Sequence, residues 1–306
     1  MKKILLAAIC CACAASLFAE GTASSGWLMF RKVVQDKPGI ANRANVEQSD
    51  LSPVLENPAY AGWLSGVALN AYVSTVYARG FMAGAGLKAG NRGIGITAGS
   101  FERRISGENI LYNTGSDWYG GYDLVRPEIL EQDTLFFISC GLPLGDTAAA
   151  GVTVKRLTTS FVEEFTAEAT SIDVGIANAG GNGMGFSLAL QNIAGSAQAF
   201  LSEPDPLPRA LCAGINYTGS YRGRAVYSAA LKANSLLVEQ ATLPAVELQY
   251  REAGFCLQAS CSALQNGEID LRYGMGYASG SFRIGITMRP TKYFGTDTTS
   301  LVGIAF

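Results

Sequence analysis

The sequence predicts an all-β protein: a transmembrane antiparallel up-and-down β-barrel of about 14 strands, preceded by an N-terminal hatch or plug segment. Three observations carry this. The chain begins with a secretory leader. An alternation of apolar with small or polar residues recurs to the C-terminus. The connections between alternating segments are short at one end and long at the other.

Lys2 and Lys3 give the leader its positive start, residues 4–15 are almost wholly apolar, and Ser16-Leu17-Phe18-Ala19 ends on a small residue before Glu20. Residues 1–19 therefore read as a signal peptide cleaved after Ala19. The apolar run is too short for a membrane anchor, which needs roughly 20 residues. Cys10, Cys11 and Cys13 leave with it, and Cys140, Cys212, Cys256 and Cys261 remain. Cys256 and Cys261 stand five positions apart, which on a strand puts them on opposite faces, so four small unbridged thiols are expected.

The composition is 48% hydrophobic and 16% charged, with 36 glycines. Such a chain could be a soluble β-rich protein or a barrel with its apolar residues spread over many strands. The net charge of −2 gives nucleic acid no clustered basic face to meet. Histidine is absent, which removes Ser-His and Cys-His catalysis, histidine acid–base chemistry and histidine-ligated metals. With no nucleophile elbow, phosphate loop or metal-ligand spacing either, no enzyme, cofactor or metal site is expected.

Residues 20–62 do not alternate and are assigned to the hatch, and 63–306 to the barrel. Strand-like segments lie near 65–76, 78–89, 93–103, 133–142, 148–158, 171–177, 184–191, 208–217, 223–233, 245–251, 254–264, 268–277, 280–289 and 299–306. The later ones are the cleanest. Phe282, Ile284, Ile286 and Met288 alternate with Arg283, Gly285, Thr287 and Arg289. A soluble sandwich would carry a wet face of Lys, Glu and Thr. Here the second face holds Gly, Ser, Ala and isolated charges, as the crowded lumen of a closed barrel would. Tyr217, Tyr250, Tyr273, Tyr277 and Tyr293 fall where interfacial girdles are expected.

With the N-terminus in the periplasm, the periplasmic turns fall at 90–92, 143–146, 179–182, 219–222, 251–253 and 279–280, all tight. The opposite end holds the long stretches 104–132, 194–206 and 290–298. This segregation is that of an outer-membrane barrel in a bacterial cell. The last strand ends Val302-Gly303-Ile304-Ala305-Phe306, and Ile304 with the terminal Phe306 forms an assembly signal for the barrel assembly machinery. By alternation, Lys155, Asp173, Arg224, Lys232, Glu247, Arg251, Asp270, Arg272 and Arg283 face the lumen. Charges of this kind pair as structural ladders, and their number weighs against an apolar internal pocket.

Before the first strand stands Asp50, then a short helical turn over residues 51–56, then Asn57-Pro58-Ala59-Tyr60-Ala61-Gly62. Pro58 fixes its own φ and biases Asn57 away from helix, so the pair ends the turn. Asn57, Pro58 and Ala59 with Asp50 are expected either to seat the hatch against strand one or to form a chain-reversal corner that serves only assembly. Further on come Pro143-Leu144-Gly145-Asp146, Gln191-Asn192, and a Pro-Leu-Pro segment that runs from Pro206 to Tyr217. In these motifs, their order and their spacing, the chain resembles the FadL-like outer-membrane barrels, which include PorV and PorQ of the type IX secretion system. Trp27 to Gln48 stands where members carry a glycine-rich stretch.

The resemblance implies a fourteen-stranded barrel with its N-terminal segment as a hatch in or below the lumen. It implies transport of hydrophobic small molecules, as FadL moves fatty acids through a lateral opening, or a role as a secretion-system partner. The implied partners are outer-membrane lipids, with fatty acid or a secreted protein as cargo. A structural porin-like protein or surface antigen without a dedicated substrate is the alternative.

Overall fold

The computed structural model describes residues 50–306 except 75–78, 90–91, 107–109, 114–121, 126–128, 162–164, 180–182, 198–206, 222–224, 238–239, 265–266 and 292–294. The predicted signal peptide with Ala19, the hatch before residue 50, Arg224 and Tyr293 lie outside the described residues.

Helix α1 (Ser52–Glu56) and a 3-10 turn (Pro58–Trp63) come first. The strands are β1 (Gly66–Ser74), β2 (Arg79–Ala89), β3 (Arg92–Ser106), β4 (Ile110–Asn113), β5 (Tyr122–Val125), β6 (Ile129–Leu144), β7 (Ala148–Phe161) and β8 (Phe165–Ala179). They continue with β9 (Met184–Ala197), β10 (Ala210–Tyr221), β11 (Ala225–Leu236), β12 (Ala241–Glu252), β13 (Phe255–Ala263), β14 (Ile269–Ser279), β15 (Phe282–Thr291) and β16 (Gly295–Ala305). Fourteen of them close into one antiparallel barrel, while β4 and β5 form a hairpin of their own within the connection from β3 to β6. Closure is made by β1 on β16, where Val67 N–H donates to the Phe306 carbonyl at 3.1 Å and Phe306 N–H returns the bond at 2.8 Å.

The alternation read from the sequence is the alternation of the wall. On β6, Phe136, Ile138, Leu142 and Leu144 are exposed outward, while Leu135, Phe137 and Ser139 are buried inward. Val67, Leu87, Val154, Ile176, Leu231, Leu248, Leu271 and Val302 continue the apolar exterior around the barrel. A closed barrel abolishes strand edges, and such an exterior suits hydrocarbon, not water, so this is a membrane-spanning barrel. Tyr217, Tyr227, Tyr250, Phe255, Tyr277, Phe282 and Phe306 form an outward aromatic girdle at the periplasmic end. Within it, the rings of Phe255 and Tyr277 are 5.0 Å apart and those of Tyr217 and Tyr227 are 5.9 Å apart. Ile304 faces outward with Phe306, and Tyr273 lies mid-wall.

One connection differs from its sequence reading. Residues 290–298 are not a long loop, because β15 and β16 stay paired through Arg289–Asp297, Pro290–Thr296 and Thr291–Gly295. Pro290 and Gly295 are turn formers by type, but both sit at strand ends, where a missing ladder bond costs little. The four cysteines Cys140, Cys212, Cys256 and Cys261 are unbridged.

Candidate functional site

Residues 50–64 lie inside the barrel, flat against its wall, and a row of glycines is what lets them. Gly86 of β2, Gly95 of β3, Gly141 of β6, Gly151 of β7 and Gly175 of β8 are successive cross-strand partners. A Cβ on Gly86 would come within 2.1 Å of the Leu64 carbonyl oxygen, on Gly95 within 1.7 Å of the Ala61 carbonyl oxygen, and on Gly141 within 2.2 Å of the Gly62 nitrogen. On Gly151 it would stand 2.4 Å from the Pro58 carbonyl, and on Gly175 2.1 Å from Asn57 Oδ1. The chain thus crosses the strands from β8 to β2 as it runs from Asn57 to Leu64, backbone on backbone. Where it no longer passes, side chains return: the row continues as Ala189, Cys212 and Asn234.

Polar contacts pin the segment on several sides. Asp50 Oδ1 accepts from Ser52 N–H at 3.0 Å and Ser52 Oγ at 2.7 Å, and Oδ2 pairs with Arg283 of β15 at 2.9 Å. Leu51 N–H donates to Asn70 Oδ1 of β1 at 2.9 Å. Asn57, extended at φ −147°, ends α1 and accepts from Ala59 N–H at 3.0 Å as the cap of the 3-10 turn. Its amide also donates to the carbonyls of Ile176 (3.0 Å) and Leu188 (3.3 Å). Gln191 of β9 donates to the Glu56 carbonyl at 2.9 Å. Lys232 of β11 sits between two carboxylates, Glu56 at 2.8 Å and Glu247 of β12 at 2.6 Å. An isolated buried charge is very costly, so this lysine holds the end of α1 to the wall firmly.

Asn57→Ala is expected to loosen the segment without removing the barrel. Folded barrel should reach the membrane at normal levels while permeability to small solutes rises. Loss of folded barrel would reduce the element to a corner needed for assembly.

The lumen has two unlike sides. Lys155, Asp173, Lys232, Glu247, Arg251, Asp270, Arg272 and Arg283 all belong to the inner face of β7, β8, β11, β12, β14 and β15. Besides the contacts above, Lys155 pairs with Asp173 at 2.7 Å, and Asp270 takes both Arg272 (2.6 Å) and Arg289 (2.7 Å). The other side is mostly apolar, with Arg103 of β3 paired to Glu131 and Asp133 of β6 toward its loop end. Tyr72, Met82, Phe101, Leu135, Phe137, Leu157 and Leu301 are all buried inward and form one cluster with Leu51, Val54, Tyr60 and Trp63 of the segment 50–64. Phe101 lies 5.6 Å from Tyr72 and 6.3 Å, stacked, from Phe137. The expected lumen charges therefore share the interior with an apolar cluster on the opposite flank, which packs against residues 50–64 and ends, toward the loops, at the Arg103–Glu131–Asp133 ion pairs.

Two cavities open on the charged flank. One of about 100 Å³ toward the loop end is lined by Glu56, Gln191, Cys212, Lys232, Asp270 and Arg272. One of about 450 Å³ toward the periplasmic end is lined by Arg251, Cys256, Arg283 and Leu301. Gln258 and Thr287, hydrogen-bonded at 2.8 Å, line both and divide them.

Beside the first cavity the wall itself is irregular. Asp173 alone on β8 faces residues 191–193 of β9, a bulge at which Asn192 takes φ 55°. Asn192 is fixed there by its N–H on Asp173 Oδ1 (2.8 Å), its amide on the Pro208 carbonyl (2.9 Å), and Ser171 Oγ donating to it (3.0 Å). Among the described residues, β10 pairs with β9 only up to Gln191, and residues 194–197 pair with β8 alone. Among the described residues the wall above that point is strand-paired on the β8 side only. Gln191, Asn192, Glu56 and Asn70 are site residues outside the predicted lumen charges, and Arg289 falls on the inner face by alternation without being among them. The Gln191-Asn192 motif was the signal available for two of them.

No family model matches the sequence, and no curated protein matches it. Solved structures do match in fold. The P. putida toluene transporter TodX aligns with TM-score 0.54 at 11% identity, over 83% of this chain and 94% of its own. The Ralstonia pickettii toluene transporter TbuX aligns with TM-score 0.51 at 13% identity, over 83% and 93%. The monoaromatic hydrocarbon channel CymD aligns with TM-score 0.50 at 11% identity, over 90% and 97%. At these identities the likeness is one of fold. It is the fold of bacterial outer-membrane barrels, in keeping with the apolar exterior and aromatic girdle.

Proposed function

We propose that the protein is a FadL-like outer-membrane transporter that passes hydrophobic small molecules, with residues 50–64 as its hatch. The observation that carries this reading is the apolar flank. Tyr72, Met82, Phe101, Phe137 and Leu157 on the wall and Leu51, Val54 and Trp63 on the hatch form one surface that a water-filled pore would not need. Ligand pockets are mostly apolar with few polar groups, and this surface has that character. Among the described residues, the pairing of β9 on the β8 side alone above Gln191 supports a sideways route between lumen and membrane. The toluene transport and hydrocarbon conduction attributed to TodX, TbuX and CymD agree with the same class of substrate.

The test is native purification with mass spectrometry of bound molecules, followed by uptake of a labelled long-chain fatty acid and a monoaromatic hydrocarbon. Phe101→Asp places an unpaired carboxylate on the apolar flank and is expected to lower uptake about tenfold or more, with barrel levels unchanged. Unaltered uptake in that variant contradicts the reading. A co-purified secreted protein in place of an apolar ligand would favour the secretion-partner role.

One observation favours a second reading. The open space lies on the charged flank, divided only by the Gln258–Thr287 bond, which suits a porin-like path for small polar solutes. Under that reading Gln258→Ala raises sugar permeation, and Phe101→Asp does nothing.

A further inference from the structure

The outer wall gathers most of its described charges in one place. Among the described side chains of the barrel strands, the outward-facing charges are Arg79, Glu102, Arg104, Arg156 and Glu168, all toward the loop end of β2, β3, β7 and β8, and Glu252 at the opposite end. The register shows a sharp boundary. Ala83, Ala98, Ile138, Val154 and Ile172 form an apolar cross-strand row, and the next outward row is Phe81, Ser100, Phe136, Arg156 and Thr170. Above it run Arg79, Glu102, Thr134, Thr158 and Glu168, and then Arg104, Gln132, Ser160 and Thr166. Across the barrel, among the described residues, Ala263, Ile269 and Leu271 keep the wall apolar toward the same end.

The three guanidiniums stand out from the wall, with Arg79 71%, Arg156 61% and Arg104 47% exposed. They share two carboxylates. Glu102 takes Arg79, Arg104 and the Gln132 amide, and Glu168 takes Arg156 at 2.8 Å. The Arg156–Glu168 pair is exposed on both sides and stabilises the fold little, while Glu102 is largely covered by its partners. Each guanidinium has five donors in a planar fork suited to phosphate, and one carboxylate does not use them all. They occupy three successive outward rows where the apolar exterior ends, Arg156 level with Phe81 and Phe136, and Arg79 and Arg104 one and two rows above. The long connection from β3 to β6 puts this end outside the cell.

We propose that this patch is a docking site for the phosphorylated glycolipid of the outer leaflet. Lipid A phosphates would sit on Arg79, Arg104 and Arg156, and its acyl chains on Phe81, Phe136, Ile138 and Val154. The net positive charge, the hydroxyl rows and the apolar rows beneath them match a phosphorylated sugar carrying several acyl chains. The surface is separate from the lumen and independent of what the lumen transports.

The test uses the full mature chain in detergent, exposed in turn to bisphosphorylated lipid A, dephosphorylated lipid A and phosphatidylglycerol, with native mass spectrometry counting bound lipid. The wild-type protein is expected to retain bisphosphorylated lipid A about tenfold better than either of the others. Combined Arg79→Gln, Arg104→Gln and Arg156→Gln abolishes the preference, and Glu102→Gln, which removes a competing anion, strengthens it. Should the triple variant not fold, Glu102→Gln decides alone. Equal retention of the three lipids by the wild type, an unchanged preference in the folded triple variant, or no gain with Glu102→Gln overturns the proposal.

Discussion

Alanine at Gly95 and Gly141 together is expected to unseat the hatch and open the barrel to ions and small solutes. The two added methyl carbons would fall 1.7 Å from the Ala61 carbonyl oxygen and 2.2 Å from the Gly62 nitrogen. Both obstacles are backbone, so no rotamer change relieves them. Overpacking costs about 1–3 kcal/mol at each site, and the two sites touch the same turn, so their effects combine. The wall itself gains no clash with its neighbouring strands, because both methyls point into the lumen. Conductance in planar bilayers should therefore rise while folded barrel stays at normal levels. Gly285→Ala is the control, since its nearest neighbour would be the Met275 carbonyl at 3.7 Å. A double variant as tight as wild type would mean that the hatch does not rest on this row.

Lys232→Met should be the most damaging single change on the charged flank. Glu56 and Glu247 both reach Lys232, and without it two carboxylates face one another in a poorly hydrated place. Removing one member of a buried ion pair costs about 3–5 kcal/mol, more than most single substitutions. The signature is a lower midpoint of thermal or denaturant unfolding, together with protease access to residues 50–64. Adding Glu56→Gln and Glu247→Gln removes the uncompensated charges and should restore most of the midpoint. Failure of that rescue would place the role of Lys232 in packing and not in charge.

Much of the barrel was legible because lipid and lumen demand opposite residue types on the two faces of each strand. The stretch 282–289 is a clear instance, with Phe282, Ile284, Ile286 and Met288 all outward on β15. The signal fails where both faces are apolar. Leu135-Phe136-Phe137-Ile138 does not alternate, so the inward Leu135 and Phe137 could not be told from the outward Phe136 and Ile138. The apolar flank went unseen for that reason. The glycine row was out of reach for another. Gly95, Gly141, Gly151 and Gly175 become neighbours only once the register is known, and single-strand periodicity holds no register. The same holds for Lys232 and Glu56, which lie 176 positions apart. The Asn57 turn was readable because it is local: a proline and a short amide side chain act within two residues.

The account rests on a hatch that lies in the glycine row and closes an apolar route through the barrel. The most direct measurement replaces the Lys232–Glu56 contact by a covalent one. In a background with Cys140, Cys212, Cys256 and Cys261 changed to alanine, Glu56→Cys and Lys232→Cys would be joined by a short, reductively cleavable thiol crosslinker. Uptake of labelled long-chain fatty acid is then followed before and after cleavage. The account predicts background uptake while the link holds and recovery once it is cut. Uptake that ignores the link, or passage of small sugars with no fatty-acid uptake in either state, would contradict it.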